Sequence, residues 1–198
     1  MNEIVIATHN NNKIFEIKQL MANIPIKFIT LQELGVTTTV EENGHTLQEN
    51  AVIKSKQYAK LTGLNCLSDD SGLMVDALNG RPGVHSARYG GPNATSSQQC
   101  NSLIQEMSNV PWENRQAEFR CTFALYVADH NQLIITHGIC KGLITETSRG
   151  SNGFGYDPIF YILDHSCTMA ELDQNTKNQI SHRALAATAM KTNISNLL

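Results

Sequence analysis

The chain has 198 residues, 41% of them hydrophobic and 17% charged, and its fifteen Lys and Arg against eighteen Asp and Glu leave a net charge of −3. That length suits one domain, read as a single unit over 1–198, and suffices to bury a sizeable core. The charged share lies well below the average of roughly 25%, which excludes disorder, and the negative sign excludes a broad nucleic-acid surface.

Glu3 to Ala7 reads as a short buried strand, and the polar run Thr8-His9-Asn10-Asn11-Asn12-Lys13 follows it. A charged start before a 7–15-residue apolar stretch, the pattern of a signal peptide, is not found there, and no apolar run approaches the ~20 residues of a membrane span. Ile14, Ile17, Leu20 and Met21 have helical spacing, so Lys13 to Met21 is predicted as a helix. Ile26 to Ile29 is a second short strand. Thr46 and Glu49 form the pattern of a capping box, opening a helix that runs to Leu61 and stops at Gly63. Leu64 to Leu67 and Leu73 to Leu78 read as two strands around a turn at Asp69-Asp70-Ser71-Gly72. Residues 79–93, rich in Gly and Pro, read as a loop.

Thr95 and Gln98 open a further helix that buries Leu103, Ile104 and Met107. Ala117, Phe119, Cys121, Phe123, Leu125 and Val127 alternate with polar residues, the period of a strand, and Leu133 to Ile144 returns as its hairpin partner. Thr168 and Glu171 suggest a short helix, and Ser181 is suited to cap the last one, which carries Ala186, Met190, Ile194 and Leu197 on one face. Early alternation of helices and strands with a late hairpin predicts an α/β fold with a mixed sheet. The five cysteines show no Cys-x-x-Cys step, so they read as reduced thiols of a cytoplasmic protein.

Four segments carry chemistry. Thr8 to Lys13 joins a strand to a helix start, where free N–H groups and a lysine suit phosphate. Glu41-Glu42 and Ser68-Asp69-Asp70-Ser71-Gly72 bring carboxylates suited to Mg²⁺ and to orienting a water. Adjacent aspartates in extended chain point to opposite sides, so one of the pair is expected to face the metal. In Gly153-Phe154-Gly155-Tyr156-Asp157-Pro158 the glycines allow close approach, Phe154 or Tyr156 can stack on a base, and Asp157 can accept from a ring N–H. Lys177 with Ser181-His182-Arg183 adds donors. Each segment also has a plain structural reading, as a cap, a turn or a solvated charge.

In order and spacing the motifs resemble one family. Thr-x-Asn-x-x-Lys, Glu-Glu, Glu49-Asn50-Ala51 with Lys54, Ser-Asp-Asp-Ser-Gly-Leu, Arg81-Pro82-Gly83-Val84, Ser86-Ala87-Arg88-Tyr89, Gly-Phe-Gly-Tyr-Asp-Pro and Ser-His-Arg together resemble the non-canonical purine NTP pyrophosphatases, the Ham1/RdgB or inosine triphosphatase family, over residues 3 to 190. The resemblance implies hydrolysis of ITP, dITP and XTP to the monophosphate and pyrophosphate with Mg²⁺, removing deaminated purines from the nucleotide pool. It also implies a homodimer and an elongated fold of two lobes around a central cleft. It makes Asp70 the proton acceptor and, with Glu41, a metal ligand. Thr8, His9, Asn10, Asn11, Asn12, Lys13, Ser71, Phe154, Gly155, Tyr156, Asp157, Lys177, His182 and Arg183 become substrate contacts. The family commonly has Gly where His9 stands and often at Asn12. A left-handed backbone at position 9 would therefore strain this chain. Two other readings are a nucleotide sensor without turnover and a small-phosphoester phosphatase. Pyrophosphate release and a comparison with p-nitrophenyl phosphate separate them from the first.

Overall fold

A computed structural model describes residues 2–91 and 93–197; Met1, Pro92 and Leu198, the last two of which touch the predicted loop and the final helix segment, lie outside the described residues. Among the described residues the α/β elements are, in chain order, β1 (Glu3–Ile6), α1 (Asn11–Leu20), β2 (Lys27–Thr30), α2 (Leu47–Thr62), β3 (Cys66–Val75), α3 (Ser96–Glu106), β4 (Gln116–Val127), β5 (Gln132–Ile144), β6 (Phe160–Ile162), β7 (Cys167–Thr168), α4 (Gln174–Ile180) and α5 (His182–Ser195). The strands form one sheet in the order β2-β1-β3-β4-β5-β6-β7. It is mixed: β1 runs parallel to β2 and β3, while β6 runs antiparallel to β5 and β7.

Most predicted elements appear within a residue or two. The Thr95 capping box is complete, with side chain and backbone bonded reciprocally to Gln98. At α2 only half of the predicted box forms: Thr46 accepts from the Glu49 N–H, but the Glu49 carboxylate reaches the N–H of His45 instead, at 2.6 Å. Thr168 and Glu171 do form a box, on a single 3₁₀ turn. Ser181 stands immediately before α5, in the N-cap position expected for it, and also closes α4, a helix unforeseen in the sequence, as its C-cap. The predicted loop over 79–93 carries a 3₁₀ segment at Gly83–Arg88 and a bridge between Met74 and Pro82.

The largest correction concerns Asp69 to Gly72, which form no turn. The chain stays extended through all four, and β3 is one ten-residue strand. Residues that favour turns do so when their side chains bond their own backbone. Here both aspartates meet cations from other elements, and Gly72 packs against the carbonyl of Gly83, where a Cβ would collide.

The chain divides into two compact units. The first comprises Met1–Asp70, Cys121–Gly138 and Arg183–Leu198. In it alternate residues of β1 serve opposite faces. Ile4 and Ile6 pack with Ile17, Met21, Leu67, Phe123, Ala187 and Met190, beneath α1 and α5, whereas Val5 and Ala7 pack with Leu31, Tyr58 and Ala59, beneath α2. The second unit comprises Ser71–Arg120 and Ile139–His182. Its core gathers Leu73, Val75, Leu103, Met107, Phe119, Ile144, Tyr156, Ile159 and Phe160. Among the described residues no helix is long and apolar enough to cross a membrane.

Candidate active site

The first unit places Thr8 to Lys13 directly after the carboxyl end of β1, beside β3, where Ala7 N–H donates to the Leu67 carbonyl at 2.8 Å. The crevice outside strand ends is where parallel sheets bind ligands. Asn10 caps α1, and its Oδ1 accepts from the N–H groups of Asn12 at 3.0 Å and Lys13 at 3.2 Å. Thr8 Oγ1 accepts from Asn10 N–H at 3.2 Å. The loop is therefore ordered by its own polar side chains. His9 does not have a positive φ, and neither does Asn12. Instead the His9 ring lies 3.1 Å from the Thr38 carbonyl and edge-on to Tyr58. The strain expected at His9 is absent. His9→Gly should thus lower the melting temperature slightly, through lost contact and added chain entropy, by about 1 kcal/mol or less; a thermal melt that rises instead would restore the strain argument.

Strand alternation sends the two adjacent aspartates of β3 to opposite faces of the sheet. Asp69 shares a face with Leu67, toward α1 and α5, and Asp70 shares the opposite face with Cys66 and Ser68, toward α2. Asp69 is fully buried. Its Oδ2 meets Lys13 Nζ at 3.1 Å and Arg183 Nε and Nη2 at 3.2 and 3.1 Å. Arg183 Nη1 reaches Glu16 Oε2 at 2.6 Å. Burial alone would push the Asp69 carboxyl up, but the charges of Lys13, Arg183 and Lys54 outweigh it and hold the group well below the usual carboxylate range.

Asp70 behaves oppositely. Its Oδ1 lies 3.3 Å from Lys54 Nζ, which also touches Glu42 Oε1 at 3.2 Å. Burial raises its proton affinity, Lys54 and Lys13 pull it down, and Glu42 and Asp69 push it up, with a net rise. Two neighbouring carboxylates are thereby separated, one firmly ionised and one primed to take a proton. Enzymes set acid–base roles in this way. The Cys121 thiol beside them is pushed up to about 12 by burial, so it is inert at neutral pH.

The cluster contains four carboxylates (Glu16, Glu42, Asp69 and Asp70) against three cations (Lys13, Lys54 and Arg183). Asp69 Oδ1 is buried and has no hydrogen-bond partner among the described residues. Carboxylate oxygens such as those of Glu42 and Asp70 are donors of the kind a hard cation such as Mg²⁺ takes, and here both meet the Lys54 ammonium. Among the described residues no three His, Cys, Asp or Glu side chains converge as a complete metal cage. Glu41 is exposed on the chain before α2, and its neighbour Glu42 makes the ion pair with Lys54.

The second unit holds the Gly153–Pro158 turn. Gly153 has φ +72°, and a Cβ there would strike Asp157 Oδ2 and crowd Lys177 Nζ, so only glycine fits. Asp157, predicted to accept from a base, is nearly buried; its Oδ2 accepts from Phe154 N–H at 2.9 Å and pairs with Lys177 Nζ at 2.6 Å. The Lys177 ammonium also stands 5.1 Å from the centre of the Phe154 ring. Of the two aromatics suggested for stacking, Tyr156 is committed to the core, with its hydroxyl on the Ser86 carbonyl at 2.8 Å. Phe154 remains half-buried. Gly155 accepts from the Cys100 thiol through its carbonyl. His182 is buried and stacks on Phe119 at 4.7 Å. Ser71 is half-buried on β3 directly after Asp70.

The model of the Ham1 family matches residues 4–193. The chain belongs to the Ham1 family. The dITP/XTP pyrophosphatase of Coxiella burnetii is 44% identical over 97% of this chain and 96% of its own length. That of Photorhabdus laumondii is 43% identical over 99% and 100%. Among solved structures, a HAM1 protein from Coxiella burnetii superposes with a TM-score of 0.90 at 43% identity, covering 99% of this chain and 100% of its own. The Ham1 protein of Staphylococcus aureus gives 0.89 at 38% identity, with both chains fully covered.

Four charged residues of the cluster are not singled out by the sequence as site residues: Glu16, Glu42, Lys54 and Asp69. Glu16 stands three residues after Lys13, one helical turn on, and that spacing was the available signal. Arg183, expected among the substrate contacts, has a guanidinium that is fully buried and spent on Glu16 and Asp69. It belongs to the first unit, whereas Phe154 and Asp157 belong to the second.

Proposed function

We propose that this Ham1 protein hydrolyses ITP, dITP and XTP to the monophosphate and pyrophosphate, removing deaminated purines from the nucleotide pool. The observation that carries the reading is the division of labour between Asp69 and Asp70. A fully ionised carboxylate beside Lys13 and a proton-accepting one beside Lys54 suit hydrolysis of a polyanion by an oriented water. The names of the relatives support the same chemistry.

In this reading Asp70 takes the proton of the attacking water. Lys54, held between Glu42 and Asp70, balances the charge left behind. Lys13, with the start of α1, holds phosphate oxygens as a point charge. Thr8, His9, Asn10, Asn11 and Asn12 shape that loop. Asp70 and Glu41 would hold Mg²⁺, which neutralises phosphate charge when bound. Phe154 offers a ring for the base, and Asp157 fixes the turn and Lys177 rather than reading a ring N–H. Ser71, Gly155 and His182 complete the contacts that the family resemblance implies.

A 6-keto base offers an acceptor to lysine and backbone N–H donors, whereas adenine offers a donor. A buried donor left facing a donor costs about 1–3 kcal/mol. The expected result is a kcat/KM for ITP about 10²-fold or more above that for ATP. GTP shares the 6-keto group, so its falling behind by a similar margin rests on its 2-amino group, whose N–H donors would be buried without an acceptor because Asp157 is already held by Lys177. A triphosphate panel with products resolved as pyrophosphate or phosphate tests this. Equal rates for ATP and ITP, or release of single phosphates, would overturn it.

The proposal extends to assembly and place. The protein acts as a homodimer in the cytoplasm, where its five free thiols stay reduced. Light scattering on the purified chain should give twice the 21.9 kDa of one copy; a monomer at micromolar concentration would refute the dimer.

A further inference from the structure

Lys13 is tethered as well as charged. Its ammonium sits 3.1 Å from Asp69 Oδ2, and only 14% of the side chain is exposed. The same oxygen receives two donors from Arg183. The remaining arm of that guanidinium returns to Glu16, one turn along α1 from Lys13 itself. A closed circuit results: Lys13, Asp69, Arg183, Glu16 and back through the helix. Arg183 and Glu16 have side chains 2% and 5% exposed, so neither is placed to take a polyanion itself. An isolated lysine has a flexible four-carbon stem, and a planar arginine fork is the stiffer device for fixing a carboxylate.

From this circuit we infer that Asp69 is a positioning residue, held in place by Arg183 and Glu16, which aims the Lys13 ammonium at the phosphates. The inference rests on the reading of Lys13 as a phosphate group but makes a separate claim, about a residue with the wrong charge for the ligand. Simple electrostatics predicts the reverse effect: removing a carboxylate beside an anion site should tighten anion binding. Positioning predicts weaker binding, since a small misplacement of a binding group has large effects.

The probe is inorganic tripolyphosphate, titrated calorimetrically in EDTA. It has no base, so base recognition cannot contribute, and no metal or turnover is involved. Wild type should bind, and Lys13→Ala should weaken binding about tenfold or more. Asp69→Asn should weaken it by a comparable factor, and in the Lys13→Ala background should add nothing. A residue that merely supports the fold would not show that dependence on Lys13. Circular dichroism identifies the variants that fold. If Asp69→Asn does not, Arg183→Lys carries the test, because it retains the buried charge but loses the fork; it too should weaken binding several-fold. Unchanged or tighter binding in the folded variants would overturn the inference, as would wild type that ignores tripolyphosphate. If wild type fails to hydrolyse ITP, dITP and XTP while the Lys13 and Asp69 effects persist, the proposed activity falls and the positioning role stands.

Discussion

Asp70→Asn is expected to lower kcat by roughly 10²–10⁴ while the protein melts at the wild-type temperature or above. The rate falls because an amide cannot accept the proton of the attacking water. The stability argument follows from the raised proton affinity of Asp70, which burial drives first, with Lys54 and Lys13 opposing and Glu42 and Asp69 assisting. A carboxyl whose folded pKa lies above its unfolded value gives its full stability below the unfolded pKa and loses it as pH rises through the folded one. At neutral pH ionised Asp70 therefore opposes folding, and the neutral amide removes that cost. Lys54 is not abandoned, since Glu42 remains 3.2 Å away. The acid limb of the wild-type kcat/KM profile should sit above the ordinary aspartate range and vanish in the variant. Steady-state kinetics at saturating Mg²⁺ and a thermal melt check both halves. More than about a tenth of wild-type kcat would remove Asp70 from the proton-accepting role.

That prediction shows which parts of the molecule were legible in the sequence. Elements with a strong period, such as β4 and the face of α5, lie where alternation or helical spacing puts them. So do helix starts marked by Thr95 and Thr46, because a cap is a local event. The pair Asp69-Asp70 was legible as chemistry and as two opposed side chains. The turn expected there does not form, because what keeps the pair extended is distant in sequence: Lys13, Lys54 and Arg183. The same cause hid β6, β7 and α4, which are short and take their definition from neighbours. Arg183 illustrates a related limit. A sequence shows a cation after Ser-His, but it cannot show that Glu16 and Asp69 have already taken all three faces of its fork. Tyr156 and Phe154 look equivalent in the chain, and only the core that forms around Tyr156 tells them apart.

The neighbouring substitution should have the opposite signature. Asp69→Asn is expected to destabilise the fold by roughly 3–5 kcal/mol, the range for breaking a buried ion pair by removing one partner. Asp69 is fully buried and anchors both Lys13 and Arg183. With an amide in its place Arg183 retains Glu16 as its charged partner, in a setting where water cannot compensate. For a chain of this size, each kcal/mol corresponds to about 2–4 °C, so the melting temperature should fall by roughly 6–20 °C. The pH dependence has the sign opposite to that of Asp70. Burial pushes Asp69 up, but Lys13, Arg183 and Lys54 hold it well below the usual range. A depressed carboxyl contributes stability above its unfolded pKa, near 4, and loses it as pH falls toward the folded value. The gap between wild type and Asp69→Asn should therefore be full at pH 6–8 and shrink below about pH 4. Scanning calorimetry across that range measures the gap directly. Equal melting temperatures at neutral pH, or a gap that widens in acid, would show that the Asp69 carboxylate is not the anchor of the cluster.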